Sequence, residues 1–266
     1  MSNQKIAQFL GIDIGNTHTV VGLFQGRTIV HTWRIATKKD STCHEVAPNV
    51  SFWLNQHEIK FSNISGVIVS SVVPPAAEIW WQFAQHYLKA PCLDAHSVAE
   101  RIIQIDYPRP HEIGTDRLIN SIGAFNRFKS ACIVVDFGTA TTFDCISKKG
   151  EYLGGAIAPG IGMSLQGLFS KTSRLPLVRL EDRDLPALGK TTEDAIRAGI
   201  LYGFAGMTDR LLEELSGYFE DSSPVTVATG GLASVIFGVS KNLSELLPEL
   251  TMEGLGICIE KSFLSK

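Results

Sequence analysis

Two short stretches of the chain combine an aspartate, a glycine and several hydroxyl residues directly after an apolar run. They are Asp13–Thr19 and Asp136–Thr142. A glycine lets backbone N–H groups come close to anionic oxygens, and hydroxyls donate further hydrogen bonds, so each stretch has the parts that bind phosphate. Because an aspartate repels phosphate, its carboxylate would act through a Mg²⁺ or another cation held between the two. A plain hairpin is the alternative for either loop taken alone.

The two loops lie at matching positions of an internal repeat. Ile12–Thr19 aligns with Val135–Thr142 at an offset of 123 residues, which is close to half of the 266-residue chain. Each half also has a later apolar run of the buried-strand type, Val67–Val73 in the first and Val225–Thr229 in the second. The repeat predicts two similar α/β domains with a ligand in the cleft between them. Two copies of the loop favour nucleotide phosphate binding over two unrelated hairpins.

Apolar alternation and turn residues predict the strands and helices that must position these loops. The expected strands are Phe9–Ile14, Thr19–Phe24, Thr28–Ile35, Val67–Val73, Cys132–Phe137, Thr142–Ser147, Glu151–Ile157 and Val225–Thr229. The expected helices are Glu45–Gln56, Ala76–Leu88, Leu118–Phe128 and a long helix that starts at the hydroxyl and acidic residues Thr191–Asp194. Gly199, Gly203 and Gly206 in the long helix each cost about 1 kcal/mol relative to Ala, which suggests that another element approaches closely.

A third group of polar residues, Gly114-Thr115-Asp116-Arg117, opens the helix that runs to Phe128. An aspartate that accepts a hydroxyl proton is a recurring part of phosphoryl transfer to alcohols. Asp116 beside Arg117 therefore has the composition of a general base next to an anion-binding cation. A simple ion pair at the start of a helix is the alternative. Tyr107 lies nine residues before Asp116, in the proline-containing loop that leads into the helix.

Gly230 and Gly231 directly follow the apolar run that ends at Thr229. A pair of glycines at this point would let an adenine ring lie against the backbone. A strand-to-helix turn without any ligand explains the pair equally well.

Composition excludes several classes of function. The net charge is −3, and the sequence has no basic stripe that could neutralise nucleic-acid phosphates. The sequence has no signal-peptide pattern and no apolar run near the roughly 20 residues of a membrane span. The five cysteines are scattered, without the spacing of a zinc site, and Cys132 and Cys145 lie in apolar runs that predict buried thiols. We therefore expect a cytosolic protein.

These motifs, in this order, resemble the type III pantothenate kinases, members of the acetate and sugar kinase, heat-shock-70 and actin superfamily. The resemblance covers nearly the whole chain and is carried by Asp13–Thr17, Ser70–Pro74, Tyr107, Gly114–Arg117, Asp136–Thr142, Gly154–Gly160, Thr192, Thr229–Gly231 and Leu250–Leu255. It implies an α/β fold of duplicated actin-like (ribonuclease H-like) domains, each a mixed five-stranded sheet with helices. Their predicted ranges are 1–118 and 119–266, with the active-site cleft between them.

The resemblance further implies ATP-dependent phosphorylation of pantothenate at its primary hydroxyl, the first step of coenzyme A biosynthesis. Asp116 would be the proton acceptor, Asp13 would lie near Mg²⁺ through water, and Asp136 would bind a monovalent cation, K⁺ or NH₄⁺. The residues implied to bind ATP are Asp13, Ile14, Gly15, Asn16, Thr17, His18, Thr19, Val20, Thr139, Gly230 and Gly231. Those implied to contact pantothenate are Tyr107, Gly114, Thr115, Asp116, Arg117 and Thr192. The family is dimeric, and Thr192 would reach the site from the second subunit of a homodimer.

Two other functions fit the same fold. The chain could be a non-catalytic regulatory accessory factor, although Asp13, Asp116 and Asp136 are all present. It could also be a kinase of another small alcohol or an ATPase, against which the element around Asp116, the presence of Tyr107 and the short chain argue. Thr115 stands where the family more often has Ala or Pro, and Arg109 where Asn is frequent, so the side-chain detail near the substrate stays open.

Overall fold

The computed structural model describes residues 7–172, 174–180, 185–219 and 223–265. Contacts between residues divide the chain into two compact units: residues up to Gly123 together with those from Thr251 onward, and Ala124–Leu250. The sequence-based ranges of 1–118 and 119–266 differ from this division mainly at the C-terminal segment. The domain boundary at residue 118 stays a prediction.

Eleven strands lie in the described residues. They are β1 (Gln8–Ile14), β2 (His18–Gln25), β3 (Thr28–Ala36), β4 (Ile64–Ser71), β5 (Cys92–Asp94), β6 (Gln104–Ile105), β7 (Cys132–Phe137), β8 (Ala140–Ile146), β9 (Glu151–Pro159), β10 (Val225–Thr229) and β11 (Glu245–Leu246). The predicted bounds of β7 and β10 coincide with the observed ones.

Eight α-helices lie in the same residues. They are α1 (Cys43–Asn55), α2 (Pro74–Phe83), α3 (Ala95–Ala99), α4 (Thr115–Phe128), α5 (Ile161–Lys171), α6 (Thr192–Ser216), α7 (Ala233–Phe237) and α8 (Leu250–Ile259). π-helical turns extend α2 through Ala84–Leu88 and α8 through Glu260–Leu264, and short 3₁₀ turns form at Phe61–Asn63 and Pro110–Glu112.

Five strands in each unit share one order and one set of directions. The first sheet has five strands in the order β3-β2-β1-β4-β5, whereas the second sheet of the described residues has six, five of which follow the order β9-β8-β7-β10-β11. The three strands of each hairpin meander pair antiparallel, whereas β4 pairs parallel with β1 and β5, and β10 pairs parallel with β7 and β11. The two similar α/β domains predicted from the repeat, and the actin-like fold that the resemblance implies, are therefore confirmed, although the second sheet has six strands where five were expected.

The two phosphate-loop hairpins differ in length by one residue. The Gly15 N–H donates to the His18 carbonyl at 3.0 Å, whereas the Gly138 N–H donates to the Ala140 carbonyl at 3.1 Å. The ungapped alignment of the two loops is therefore wrong after the turn. Thr19 corresponds to Thr141, because each pairs with the last residue of the preceding strand and each is buried.

The last helix packs on the first sheet because two glycines make room for it. A Cβ added to Gly22 would lie 2.7 Å from the Phe24 ring and 2.9 Å from the Met252 sulfur. A Cβ added to Gly11 would meet the same ring at 2.7 Å and Leu255 at 3.5 Å. This packing accounts for the grouping of the C-terminal segment with the first unit.

The long helix α6 starts as predicted, with Thr191 as its N-cap. The Thr191 hydroxyl accepts from the Asp194 N–H at 3.1 Å and donates to the Asp194 carboxylate at 2.7 Å. The expected close approach to Gly199, Gly203 and Gly206 is not made within the described part of the chain, where a Cβ at any of them would meet nothing within 4 Å. These three glycines lie on an exposed face of the helix.

Cys132 and Cys145 are both buried, as the apolar runs around them predict. Burial raises the pKa of the Cys132 thiol to about 12. Across the described ranges, none of the helices is both long enough and apolar enough to span a lipid bilayer.

Candidate active site

The first phosphate loop is held in shape by a threonine that follows β3. The Thr37 hydroxyl donates to the Gly15 carbonyl at 2.7 Å, and the Thr37 N–H donates to the Thr17 carbonyl at 3.0 Å. The Thr19 hydroxyl is 2.9 Å from the same Thr37 hydroxyl. The side of the loop next to Thr37 is therefore fixed by these bonds, and the opposite side is exposed to solvent.

Side chains of the loop divide into exposed and buried sets. Asn16, Thr17 and His18 are exposed, so an anion could reach this part of the loop from solvent. Ile14 and Thr19 are buried, which restricts any contact from these two predicted ATP-binding residues to their backbone.

Asp13 is the second-last residue of β1 and the first residue of the Asp13–Thr19 loop. Its Oδ1 accepts a hydrogen bond from the Ser70 hydroxyl of β4 at 3.0 Å. Burial and the nearby Asp116 carboxylate raise the pKa of Asp13 from 3.8 to about 7, and Ser70 and Arg34 oppose this rise only in part. A carboxylate this destabilised favours a bound cation beside it.

Asp116 lies in the first turn of α4 and is close enough to Asp13 to raise the pKa of that carboxyl. Burial raises the pKa of Asp116 itself, while the Arg117 N–H, which donates to its Oδ1 at 2.9 Å, and the Arg117 charge act in the opposite direction. The first unit thus brings together two carboxylates whose ionised forms are disfavoured by burial. One begins a phosphate-type loop, and the other lies at the start of a helix. Perturbed carboxylates of this kind are typical of functional sites.

Gly114 leaves the space that the Asp116 carboxylate occupies. A Cβ at position 114 would lie 2.5 Å from Asp116 Oδ1. Thr115 is buried, and its hydroxyl is 3.4 Å from His96 Nδ1 on α3, so its side chain points into the unit. Thr115 could therefore contact a substrate through its backbone rather than its hydroxyl.

Tyr107 and Arg117, which the resemblance implies to contact the substrate, lie near this turn, as does Arg109, where the sequence departs from the family pattern. Tyr107 is 36% exposed, on the loop that precedes α4. Arg109 forms an exposed ion pair of 2.8 Å with Glu112 of the same loop. Arg117 is partly buried next to Asp116.

The second loop presents Asp136 in a cradle of glycines. Gly138 and Thr139 are exposed, and Asp136 pairs in register with Thr229 of β10, as Asp13 does with Ser70. Gly230 has φ +95°, and a Cβ there would lie 2.3 Å from Asp136 Oδ1 and 2.8 Å from the Phe137 backbone. A side chain at position 230 would therefore both strain the backbone and displace the carboxylate.

Thr192 lies in the second unit, as the first residue of α6, and is exposed. The hydroxyl of its neighbour Thr191 caps the helix, so capping does not use the Thr192 hydroxyl.

Sequence reasoning assigned no role to Ser70 or Thr37, which bond to the first loop. Ser70 lies in a motif that carries the family resemblance, but its bond to Asp13 depends on the parallel register of β1 and β4. A hydroxyl residue at the end of the central parallel strand in both halves, Ser70 and Thr229, is the signal that could have revealed it.

The carboxylates present fit cations that take some of their ligands from the protein and the others from a bound phosphate. Within the described ranges, no three His, Cys, Asp or Glu side chains gather closely enough to enclose a metal ion. Mg²⁺ usually keeps several waters and binds through one or two carboxylates together with substrate phosphates. The raised pKa of Asp13 indicates a position where a positive charge is favourable.

Comparison with known proteins gives one consistent answer. Residues 9–214 match the family model described as type III pantothenate kinase. The type III pantothenate kinase of Desulforapulum autotrophicum is 41% identical over 259 residues, covering 97% of this chain and 98% of that protein. The one of Desulfatibacillum aliphaticivorans is 40% identical over 252 residues, with 95% and 98% covered.

Solved structures resemble the chain in fold alone. A candidate 2-dehydro-3-deoxygalactonokinase from Sinorhizobium meliloti superimposes with a TM-score of 0.59 at 12% identity, covering 96% of this chain and 99% of that one. The ethanolamine utilization protein EutJ of Carboxydothermus hydrogenoformans gives 0.53 at 13%, with 95% and 89% covered. The match to the family model, together with relatives that are 41% and 40% identical over nearly the whole chain, establishes that the chain belongs to the type III pantothenate kinase family.

Proposed function

We propose that this chain transfers the γ-phosphoryl group of ATP to the primary hydroxyl of pantothenate, forming 4'-phosphopantothenate and ADP, the first step of coenzyme A biosynthesis, in the cytoplasm. The observation that carries the proposal is the pair of Asp13 and Asp116 in one unit. One carboxylate adjoins a phosphate-type loop, and the other, at a helix start, has a raised pKa. Family membership supports the identity of the two substrates.

Asp116 acts as the general base. Burial raises its pKa and so increases its affinity for a proton, which suits a group that accepts the hydroxyl proton. The hydroxyl oxygen forms a bond to the γ-phosphorus as the bond to the bridging oxygen of ADP breaks, and Asp116 holds the released proton. Positioning and charge stabilisation supply most of the rate in such transfers.

The two loop aspartates have different tasks. We assign Asp13 to Mg²⁺, through water, and Asp136 to a monovalent cation, K⁺ or NH₄⁺. The cations supply charge neutralisation along the phosphates when bound. The protein's own part is to hold each carboxylate in place, through the Ser70 hydroxyl at the first site and, at the second, through the space that Gly230 leaves for the Asp136 carboxylate.

ATP would contact backbone and side chains of Gly15–Val20, together with Thr139, Gly230 and Gly231. Tyr107, Gly114, Thr115 and Arg117 would surround the pantothenate around Asp116. Thr192 would contribute its exposed hydroxyl from the second subunit of a homodimer. The exposed face of α6 that carries Gly199, Gly203 and Gly206 has no side chain at these positions and would let a second copy approach closely.

A coupled ADP assay with a small panel of alcohols tests the proposed function. We expect ADP release only with pantothenate, and faster release when K⁺ or NH₄⁺ replaces Na⁺. Absence of pantothenate-dependent turnover would favour the regulatory accessory factor, whereas turnover of another alcohol in the panel would reassign the acceptor.

Gly114→Ala is expected to lower kcat roughly tenfold to a hundredfold, because small misplacements of a reacting group are costly. The added Cβ would lie 2.5 Å from Asp116 Oδ1, so the carboxylate must move. Steady-state kinetics and thermal melting measure the two effects. Gly162→Ala is the matched control, since its Cβ would meet nothing within 4 Å. Equal kcat for the two variants would show that Asp116 does not need its observed position.

Gly203→Leu is expected to weaken the homodimer. The glycine is exposed and its Cβ would have open space, so the variant chain should fold normally. Sedimentation velocity at several concentrations measures the effect, with Gln82→Leu on the exposed face of α2 as the control. A variant that sediments like the wild type would exclude this face of α6 from the interface.

A further inference from the structure

Arg34 lies in one row with the residues of the first phosphate site. Strand pairing sets Arg34 opposite Val20, Val20 opposite Asp13, and Asp13 opposite Ser70. Residues directly opposite each other in neighbouring strands project from the same face of a sheet. The Arg34 side chain therefore projects from the face that carries Asp13 and Ser70.

The opposite face of this part of the sheet is the core. Ile35 and Ile14, which alternate with Arg34 and Asp13 along their strands, belong to the apolar cluster under α1 and α2. Arg34 itself is exposed. Its position is thus set by the strand alternation, and the alternation turns it toward the phosphate site rather than into the core.

The Arg34 guanidinium makes no hydrogen bond or ion pair with any of the described residues, although its charge reaches Asp13 and lowers the pKa of that carboxyl. Other exposed arginines of the first unit differ: Arg27 pairs with Glu260, Arg101 bonds the Ser97 carbonyl, and Arg109 pairs with Glu112. A guanidinium offers five N–H donors in a planar fork that matches phosphate oxygens. Arg34 keeps this fork available one strand beyond the loop.

The spacing leaves room for an anion between Arg34 and Asp13. Neighbouring strands are about 4.8 Å apart, so the two backbones lie roughly 10 Å apart across β2. Val20, between them, is too short and apolar to fill or neutralise this space. A phosphate group there would have the guanidinium on one side and the loop N–H groups at the strand end.

We propose that Arg34 is a phosphate-binding residue, whose guanidinium donates hydrogen bonds to the phosphate chain of the ATP bound by the first loop. The proposal rests on the proposed function for the identity of the nucleotide. Arginine–phosphate bonds are charge-assisted and often bidentate, so they depend on the number of phosphates in the ligand and not on its base.

Nucleotide binding by titration calorimetry tests this role in the full-length protein with Mg²⁺ present. Arg34→Gln is expected to lower the affinity for ATP about tenfold or more, the usual effect of losing a hydrogen bond to a charged group. Its affinity for adenosine should stay unchanged. Arg34→Lys should recover part of the ATP affinity, because it keeps the charge but loses the fork.

Arg27→Gln is the matched control, because it removes the same charge from an exposed arginine on the β2–β3 turn of the same sheet. It should bind ATP and adenosine like the wild type. Two results would overturn the proposal, since the expected loss of affinity is about tenfold and specific to phosphate. In the first, the affinity of Arg34→Gln for ATP stays within about twofold of the wild-type value. In the second, its affinities for ATP and for adenosine fall equally.

Turnover of the wild type separates this inference from the proposed function. If the wild type phosphorylates pantothenate but Arg34→Gln binds ATP normally, only the role of Arg34 fails. If the wild type shows no turnover with pantothenate while Arg34→Gln has lost ATP affinity selectively, the proposed function fails and the phosphate-binding role of Arg34 stands.

Discussion

Asp116→Asn is expected to lower kcat by roughly 10²- to 10⁴-fold while the protein stays folded, since that is the usual contribution of a positioned general base. The amide has nearly the shape of the carboxylate and can still accept the Arg117 N–H, which now bonds to Oδ1 at 2.9 Å. It cannot take up the hydroxyl proton. The KM for ATP should change little, because the first loop is untouched.

The measurement is steady-state kinetics with saturating ATP and varied pantothenate, together with a thermal melt. Asp106→Asn, on the exposed loop before α4, is the matched control and should keep wild-type kcat. If Asp116→Asn keeps a kcat within a few-fold of the wild type, its loss of kcat is far smaller than that expected for a general base. Another group then accepts the proton.

Asp13→Asn is expected to remove activity and, in the ligand-free protein, to raise the melting temperature. Activity should fall on the order of a hundredfold or more, because the charge that holds a cation beside the phosphates is gone. Stability should rise because burial and Asp116 make the ionised Asp13 unfavourable in the folded chain. Asn keeps the oxygen that accepts from the Ser70 hydroxyl.

The stability effect depends on pH in a defined direction. The folded-state pKa of Asp13, about 7, exceeds the unfolded value of 3.8, so the folded chain binds more protons between these values. The free energy of unfolding therefore falls as pH rises from about 4 to 7, and the loss is complete above pH 7.

We expect Asp13→Asn to melt at least about 2 °C above the wild type at pH 8, since 1 kcal/mol shifts a chain of this size by about 2–4 °C. The difference should nearly vanish at pH 4, where Asp13 is largely protonated in the folded chain. Differential scanning calorimetry without nucleotide measures both. A variant less stable than the wild type at pH 8 would show that the Asp13 carboxylate is not destabilised in the folded protein.

The strands that sequence reasoning located best are those buried on both faces. The bounds of β7 and β10 were predictable because Cys132–Phe137 and Val225–Thr229 are mainly apolar runs, each followed directly by a glycine. The strands β5, β6 and β11, of two or three residues, have no alternation to detect. The grouping of α8 with the first unit depends on packing against Gly11 and Gly22, which are far away in sequence.

The candidate site was predictable where its chemistry is local. Asp13 and Asp116 each belong to a short motif whose residue types suggest their task. Their mutual influence, and the bond from Ser70, follow from sheet register and helix placement, which a linear pattern does not contain. The one-residue difference between the two hairpins was not predictable, because the sequences of the two loops align without a gap.

The most direct test of the account is the pantothenate dependence of ATP turnover, with the product identified by ³¹P NMR. Wild-type protein with Mg²⁺, K⁺, ATP and pantothenate should produce ADP and one phosphomonoester signal of 4'-phosphopantothenate in equal amounts, and Asp116→Asn should produce neither at a comparable rate. ADP formed with inorganic phosphate alone, or no ADP with pantothenate present, would contradict the assignment of this site to phosphoryl transfer onto pantothenate.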